Sequence, residues 1–345
     1  MKDIPSRQKH GSMPWLMQQL PPPLPGSRPV TARENLRRVF AGEKPLWLPV
    51  WNVDAQTVYP DVVWEHPPYD EDGLDWFGTE WVMVDIAGGQ MPKTGTRVIS
   101  DFRKWKEEVK FPDLAEVDWA GDAAIQTQRY DPDRMHVFHT AEGLFERLHE
   151  LMPFDESLLA FYDDPDLLQE WFDAMVDYKI ELLGHVFKHY DPVDYIIYGD
   201  DWGTQRAGFF SNEMFRETLM PNTKRIWDWV HEQGKFVELH SCGLTQQYIE
   251  EIIEMGCDAW TPQTNNDLDM LTEKYGDKIT LTVPMEGVET AKSADEARRL
   301  VRCFVDKYAP RGRIVAGKLF EVPPEICDAA YEELYIYSSE YYARV

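Results

Sequence analysis

The stretch DYIIYGDDWGTQRAGFFSNEMFRETLMPNTKRIWDWVHEQGKFVELHSCG, residues 194–243, holds one complete unit of the pattern that decides the fold. It opens with an apolar run, DYIIYG (194–199), and leaves it through a polar tail, DDWGTQ. A helical pattern follows, capped by Ser211 and stopped at Gly234, with Pro221 predicting a kink. A second apolar run, KFVELH (235–240), ends in its own polar tail, SCG. Two continuously apolar strands joined through a helix describe a parallel βαβ unit buried on both faces.

The same alternation extends in both directions. Towards the N-terminus lie LWLPVWNV (46–53), WVMVDI (81–86) and MHVFHT (135–140); towards the C-terminus lie DAWTP (258–262), KITLTV (278–283) and RIVAG (313–317). Helical segments stand between them, among them SADEARRLVRCFVDKYAPRG, which opens with the capping box Ser293 and Glu296. An earlier helix, TARENLRRVFAGEKP, starts with Thr31 and Glu34 in the same relation and ends at Gly42. Eight strands over about 275 residues predict an α/β fold, a closed (β/α)8 TIM barrel, rather than an open doubly wound sheet. No G-x-G-x-x-G or G-x-x-x-x-G-K-[ST] pattern is present, which removes the usual nucleotide-binding alternatives. The expected organisation is an extended N-terminal arm over 1–30, rich in proline, and a single barrel domain over 31–345. A long insertion, 87–134, follows the second strand as a lid or a decorated loop. The arm is read as a loose terminus or as a segment that docks on a partner or on a second copy of the chain, which would make a homo-oligomer.

Composition narrows the partners. The 345 residues carry 35 Lys and Arg against 61 Asp and Glu, a net charge of −26. A surface this acidic repels phosphate backbones and anionic membranes, so neither is an expected partner. No run approaches the ~18 apolar residues of a membrane span, and the N-terminus lacks the pattern of a signal peptide. Four scattered cysteines, Cys242, Cys257, Cys303 and Cys327, make no disulfide framework and fit a reducing cytoplasm.

In a (β/α)8 barrel the functional groups stand at the C-terminal ends of the strands and in the loops that follow. That rule selects Asp54 after the first predicted strand, His139 and Glu142 after the third, and Asp200, Asp201, Trp202 and Gln205 after the fourth. It adds His240 and Cys242 after the fifth, Glu286 after the seventh, and Lys318 and Glu321 after the eighth. The sharpest signal is HSCG: imidazole and thiol two residues apart at a strand end can converge on one zinc ion. A catalytic zinc takes three protein ligands, so a third must come from elsewhere, and Glu286, Cys327 and Asp200 are suitable by type. The adjacent acids Asp200 and Asp201 would repel unless each has its own donor, cation or metal. One can serve as general acid or ligand while the other caps the next helix. Trp202 offers a flat apolar wall.

The sequence resembles the uroporphyrinogen decarboxylase superfamily. The likeness rests on DDWGTQ, the segment SNEMFRETLMPNTKRIWDWVHEQGKFVELHSCG, and IIEMGCDAWTPQ. It looks most similar to the branch of corrinoid-dependent methyltransferases that includes methyltransferase components of anaerobic O-demethylases. The resemblance implies a (β/α)8 barrel and makes His240 and Cys242 zinc ligands. The later cysteine that completes the family's ligand set is replaced near Phe320, so the resemblance leaves an oxygen ligand such as Glu286 for the third place. The corrinoid-domain signature D-x-H-x-x-G is lacking, which implies that the cobalt cofactor arrives on a separate corrinoid protein.

The leading expectation is therefore a methyltransferase that moves a methyl group from a small methylated donor, a methoxylated aromatic, to the cobalt of that protein. In this reading His240, Cys242 and Glu286 hold zinc. Asp200, Asp201 and His139 carry the chemistry, and Trp202, Gln205 and Asp54 meet the substrate. The alternatives are a cofactor-independent decarboxylase and a catalytically silent binding protein on the same barrel. The decarboxylase would need several basic residues at the mouth, where only Arg206 and Lys318 are evident. The charge of −26 likewise disfavours a polycarboxylate substrate and favours a neutral or weakly charged donor.

Overall fold

A computed structural model describes residues 28–67, 72–84, 89–320 and 322–345. Most of the expected arm, residues 1–27, lies outside them. Among the described residues ten strands are formed: β1 (Ala55–Val58), β2 (Gly73–Leu74), β3 (Glu80–Val84), β4 (Gly89–Pro92), β5 (Met135–Thr140), β6 (Tyr195–Gly199), β7 (Phe236–His240), β8 (Ala259–Trp260), β9 (Thr280–Val283) and β10 (Ile314–Ala316). Seven of these build one parallel sheet in the order β1-β5-β6-β7-β8-β9-β10. All five residues of β6 and all four of β9 are buried, as expected for strands covered on both faces.

The sheet curls until its edges approach. Val50 makes a parallel bridge with Ala316 of β10, and five residues later Ala55 pairs with Met135 of β5. The two edges are thus joined by a single helical turn, with Val53 and Asp54 donating their N–H groups to the Val50 carbonyl. Asn52 occupies the left-handed region in this turn, at φ 53°. This turn is why the predicted strand 46–53 does not form as one piece: only Val50 bridges, and the pairing run starts at Ala55.

The second expected barrel strand also differs. WVMVDI contributes to β3, which pairs antiparallel with β2 and β4 in a separate three-stranded sheet. Its Met83 is 44% exposed and Met91 of β4 is 48% exposed, on opposite faces because Met91 pairs with Val82, so neither face of this ribbon is fully covered. A short apolar run does not reveal whether one face or both will be buried, and the tertiary packing decided it here. Among the described residues the barrel is a seven-stranded curled sheet rather than an eight-stranded one.

The helices follow their sequence signals closely. Thr31 caps Ala32–Phe40 by accepting the Glu34 N–H at 3.1 Å, and Ser293 caps Ala294–Tyr308 in the same way through Glu296. The segment with Pro221 divides into Asn212–Glu217 and Leu219–Glu232, broken at Thr218 just before the proline. The insertion 87–134 packs onto the main core through buried Trp105, Leu114 and Trp119. Its first part pairs in β4, so among the described residues it behaves as built-in covering.

Two buried ion pairs fasten the small sheet region to the barrel. Arg147 reaches Asp75 at 2.6 Å, with both side chains fully buried, and Lys179 reaches Glu65. The four cysteines are free, and among the described residues no helix is long and apolar enough to cross a membrane.

Candidate metal centre

Parallel register brings the polar tails together. Gly199, the last residue of β6, lies beside His240, the last of β7, and the Asp200 N–H donates to the His240 carbonyl at 3.1 Å. The tail of β6 then supplies Asp201 and that of β7 supplies Cys242. Asp201 Oδ1 accepts the Cys242 N–H at 2.6 Å, and Ser241 Oγ accepts the Trp202 N–H at 3.0 Å, so each tail holds the other. Gly243 makes this possible. It sits at φ +90°, and a Cβ there would overlap the Gly203 carbonyl oxygen.

Asp201, His240 and Cys242 offer one donor atom each, all within 4.8 Å of one another. Cys242 Sγ lies 3.5 Å from His240 Nε2. Two ligands on one tetrahedral zinc, with Zn–S of about 2.3 Å and Zn–N of about 2.05 Å, stand about 3.6 Å apart. The donor set and its spacing therefore fit zinc, and all three groups are only half-buried, which leaves a side open. Burial pulls the His240 imidazole below its ordinary pKa, against the pull of Asp201, and so keeps it in the neutral, ligating form. Burial, followed by the Asp201 charge, pushes the Cys242 thiol up. A dication would reverse that balance.

A second trio lies alongside. Glu142, Glu146 and Glu150 follow each other at intervals of four and bring their carboxylates within 4.8 Å. Three carboxylates this close share protons rather than all ionising. Glu146 is raised well above the usual range by burial and then by Asp201 and Glu142; Glu150 is raised by burial and Glu142. Burial acts to raise Glu142 as well, but the hydrogen bond with Glu150 and the Arg147 charge outweigh it, and its pKa falls.

The other expected residues are placed as follows. Asp200 is fully buried and caps the helix Leu144–Leu151, accepting the Glu146 N–H at 2.9 Å and the Phe145 N–H at 3.4 Å. Burial pushes its pKa up to about 7, against the Glu146 N–H that favours the charged form. His139 stands next to the centre with its ring 6.5 Å from that of His240, and its Nε2 is buried without a hydrogen-bond partner. Burial, then His240, lowers it to about 3. Gln205 is at the rim, donating to Gln263 Oε1, which also accepts the Gly243 N–H.

Three residues stand apart. Trp202 is fully buried between Phe215 and Tyr248 and presents no face to a ligand. Asp54 precedes β1 instead of following a strand; it accepts the Val50 N–H at 2.7 Å and lies 3.5 Å from Arg28, tying the closing turn. Glu286 is exposed after β9 and does not join the group, in which Asp201 takes the third position.

Two polar groups were not singled out from sequence: Glu146, which reaches Asp201, and Glu238. Glu238 is buried, accepts from Trp51 Nε1 and Thr261 Oγ1, and leaves Oε2 without a partner. Burial raises it to about 7. The alternation E-L-H along β7 was the available signal, because residues 238 and 240 share one face of the strand.

A curled parallel sheet with an imidazole, thiol and carboxylate gathered at the C-terminal ends of its strands defines an α/β barrel with a candidate metal centre. The chain belongs to the uroporphyrinogen decarboxylase (URO-D) family, whose model matches residues 75–326. Among solved structures, a methyltransferase from Methanosarcina mazei is similar at TM-score 0.59 and 14% identity, covering 91% of this chain and 99% of that one. This likeness shows the fold. An intracellular xylanase from Thermoanaerobacterium saccharolyticum, 16% identical, matches at TM-score 0.31 over 55% of this chain and 66% of its own, too low to carry an argument. No curated protein matches the sequence.

Proposed function

We propose that this protein is a methyltransferase that removes a methyl group from a small methoxylated aromatic and passes it to the cobalt of a separate corrinoid protein in the cytoplasm. The observation that carries the proposal is the Asp201, His240 and Cys242 group, with its 3.5 Å Sγ to Nε2 separation. The fold shared with a methyltransferase and the DDWGTQ and HSCG segments support it.

Asp201, His240 and Cys242 would hold zinc, which supplies Lewis-acid stabilisation for an oxygen that loses its methyl group. An ether oxygen is a poor leaving group, so the surrounding residues must orient it. His139, neutral and with an unpartnered Nε2, would hydrogen-bond the donor oxygen. Asp200 acts as a positioning residue, because its carboxylate is engaged with the helix N-terminus that carries Glu146. Ser241 and Gly243 fix the two tails and thereby the angle between Asp201 and Cys242.

The experiment mixes zinc-loaded protein with a corrinoid protein reduced to the cobalt(I) state and a panel of methoxyarenes, methylamines and methylthiols. The expected result is conversion of the cobalt(I) spectrum to that of methylcobalt with a methoxyarene and stoichiometric release of the phenol. If no member of the panel methylates the cobalt, the proposal fails. A decarboxylase acting on a tetrapyrrole polycarboxylate is disfavoured by the Asp201 carboxylate at the strand ends and by the Glu142, Glu146 and Glu150 group beside it.

A further inference from the structure

The lower part of the barrel interior is solid. Val137 of β5, Ile197 of β6 and Ala259 of β8 pack there on Leu36, Val39 and Phe40 of the helix Ala32–Phe40, all of them buried. That helix thereby plugs the N-terminal end of the strands. Higher up the groups become half-exposed: His139 of β5, His240 of β7, Thr261 just after β8, and Asp201 and Cys242 in the two tails.

Trp51 belongs to this upper set, although it comes from the closing turn between Val50 and Asp54. It packs on the plug, and its Nε1 donates to Glu238 Oε1 at 2.8 Å. Both contacts draw the indole into the barrel, and it is nevertheless half-exposed. With the N-terminal end filled, that exposure opens towards the C-terminal ends of the strands, where Asp201, His240 and Cys242 stand. Glu238 and His240 share one face of β7, about 6.6 Å apart along the strand, so the indole nitrogen lies one layer beneath the metal-type cluster.

The support under Trp51 is built from polar groups. Glu238 is 1% exposed, and the oxygen that holds the indole also accepts from Thr261 Oγ1. Burying a carboxyl group costs several kcal/mol unless its hydrogen bonds are made, and Glu238 leaves Oε2 without a partner. A leucine and a phenylalanine would fill the same space without that cost. What the carboxyl adds is a fixed orientation of the indole, which matters where the ring meets something other than its own core.

We propose that Trp51 is the floor of the site and the residue that selects a flat ring, with Glu238 as the positioning residue that holds its indole. A planar ring lies against the indole over its whole area, whereas a puckered saturated ring touches it at a few hydrogens. That the bound ring carries a methoxyl group rests on the methyltransferase reading; the floor itself does not.

The test measures equilibrium binding of anisole and of methoxycyclohexane to the full-length protein by ligand-observed NMR. Each carries one methoxyl group on a six-membered ring, and only anisole is flat. The wild type should bind anisole roughly 3–10-fold tighter. Trp51→Leu abolishes the preference and Trp51→Phe keeps part of it; Trp51→Met serves if the leucine variant does not fold. Glu238→Leu reduces the preference, and Glu238→Gln, which still accepts the Trp51 N–H, restores it. Equal affinity for the two ethers in the wild type, or a preference unchanged in a folded Trp51→Leu variant, overturns the floor. Equal weakening of both ethers in Glu238→Leu overturns the positioning role. A preference that depends on Trp51 without methyl transfer to a reduced corrinoid protein leaves the floor standing and removes the methyltransferase reading.

Discussion

Replacing Cys242 with alanine tests the metal centre most directly. The variant removes the sulfur donor and leaves Asp201 and His240, which cannot by themselves enclose a tetrahedral ion. Zinc affinities in four-ligand sites correspond to about 10–16 kcal/mol, or roughly 2.5–4 kcal/mol per ligand, so losing one weakens binding about 10²–10³-fold. Truncating the thiol removes a half-buried group of a few atoms, so the fold should survive. Competition against a chromogenic chelator gives the affinity, and X-ray absorption on the wild type shows whether a sulfur scatterer is present. Asp201→Asn should weaken zinc in the same direction, because an amide oxygen carries no charge. Glu286→Gln should not, since Glu286 is exposed and outside the cluster. Wild-type affinity in Cys242→Ala, or a loss in Glu286→Gln as large as that in Asp201→Asn, would refute the assignment of ligands.

Three further outcomes follow from the geometry. Gly243→Ala meets both a left-handed backbone and the Gly203 carbonyl, and urea unfolding should show a loss of about 2–4 kcal/mol; Gly234→Ala, at φ +71° in open space, should lose only about 1–2 kcal/mol. Arg147→Met strands Asp75 and Glu150 in the interior and should lose about 3–5 kcal/mol in the same assay, with partial recovery when Asp75→Asn is added. Acid should weaken the fold through His139. Its folded pKa, about 3, lies below the unfolded value near 6.5, so the unfolded chain takes up the proton first and stability falls as pH drops below about 6.5. The contribution lost at pH 5 is about 2 kcal/mol, and His139→Phe should flatten that part of the stability profile by the same amount.

What could be read from the chain alone was whatever is local or periodic. Thr31, Ser211 and Ser293 announce helix starts because a cap needs only a side-chain oxygen and an N–H three residues on. The strands β5, β6, β7, β9 and β10 were legible because continuous apolar runs of this length bury both faces. Once they were aligned as parallel, His240, Cys242 and Asp201 had to emerge at one end. The likeness in DDWGTQ and HSCG led to the family for the same reason: those residues form the two interlocked tails.

Tertiary structure decided the rest. Whether WVMVDI would join the barrel or an outlying ribbon depends on what covers its second face, which no property of the run itself encodes. The helical turn between Val50 and Asp54 reassigned Asp54 from a strand end to the closing turn, since the chain's pairing partner changes within five residues. Trp202 moved into the core and Glu286 into solvent because residue type does not specify direction beyond a strand end. Asp201, instead of Glu286, completed the trio because the β6 and β7 tails are adjacent while β9 lies two strands further on. The half-exposed indole of Trp51 belongs to the same class of fact: a sequence lists its tryptophans, but only packing determines which of them is left facing the mouth.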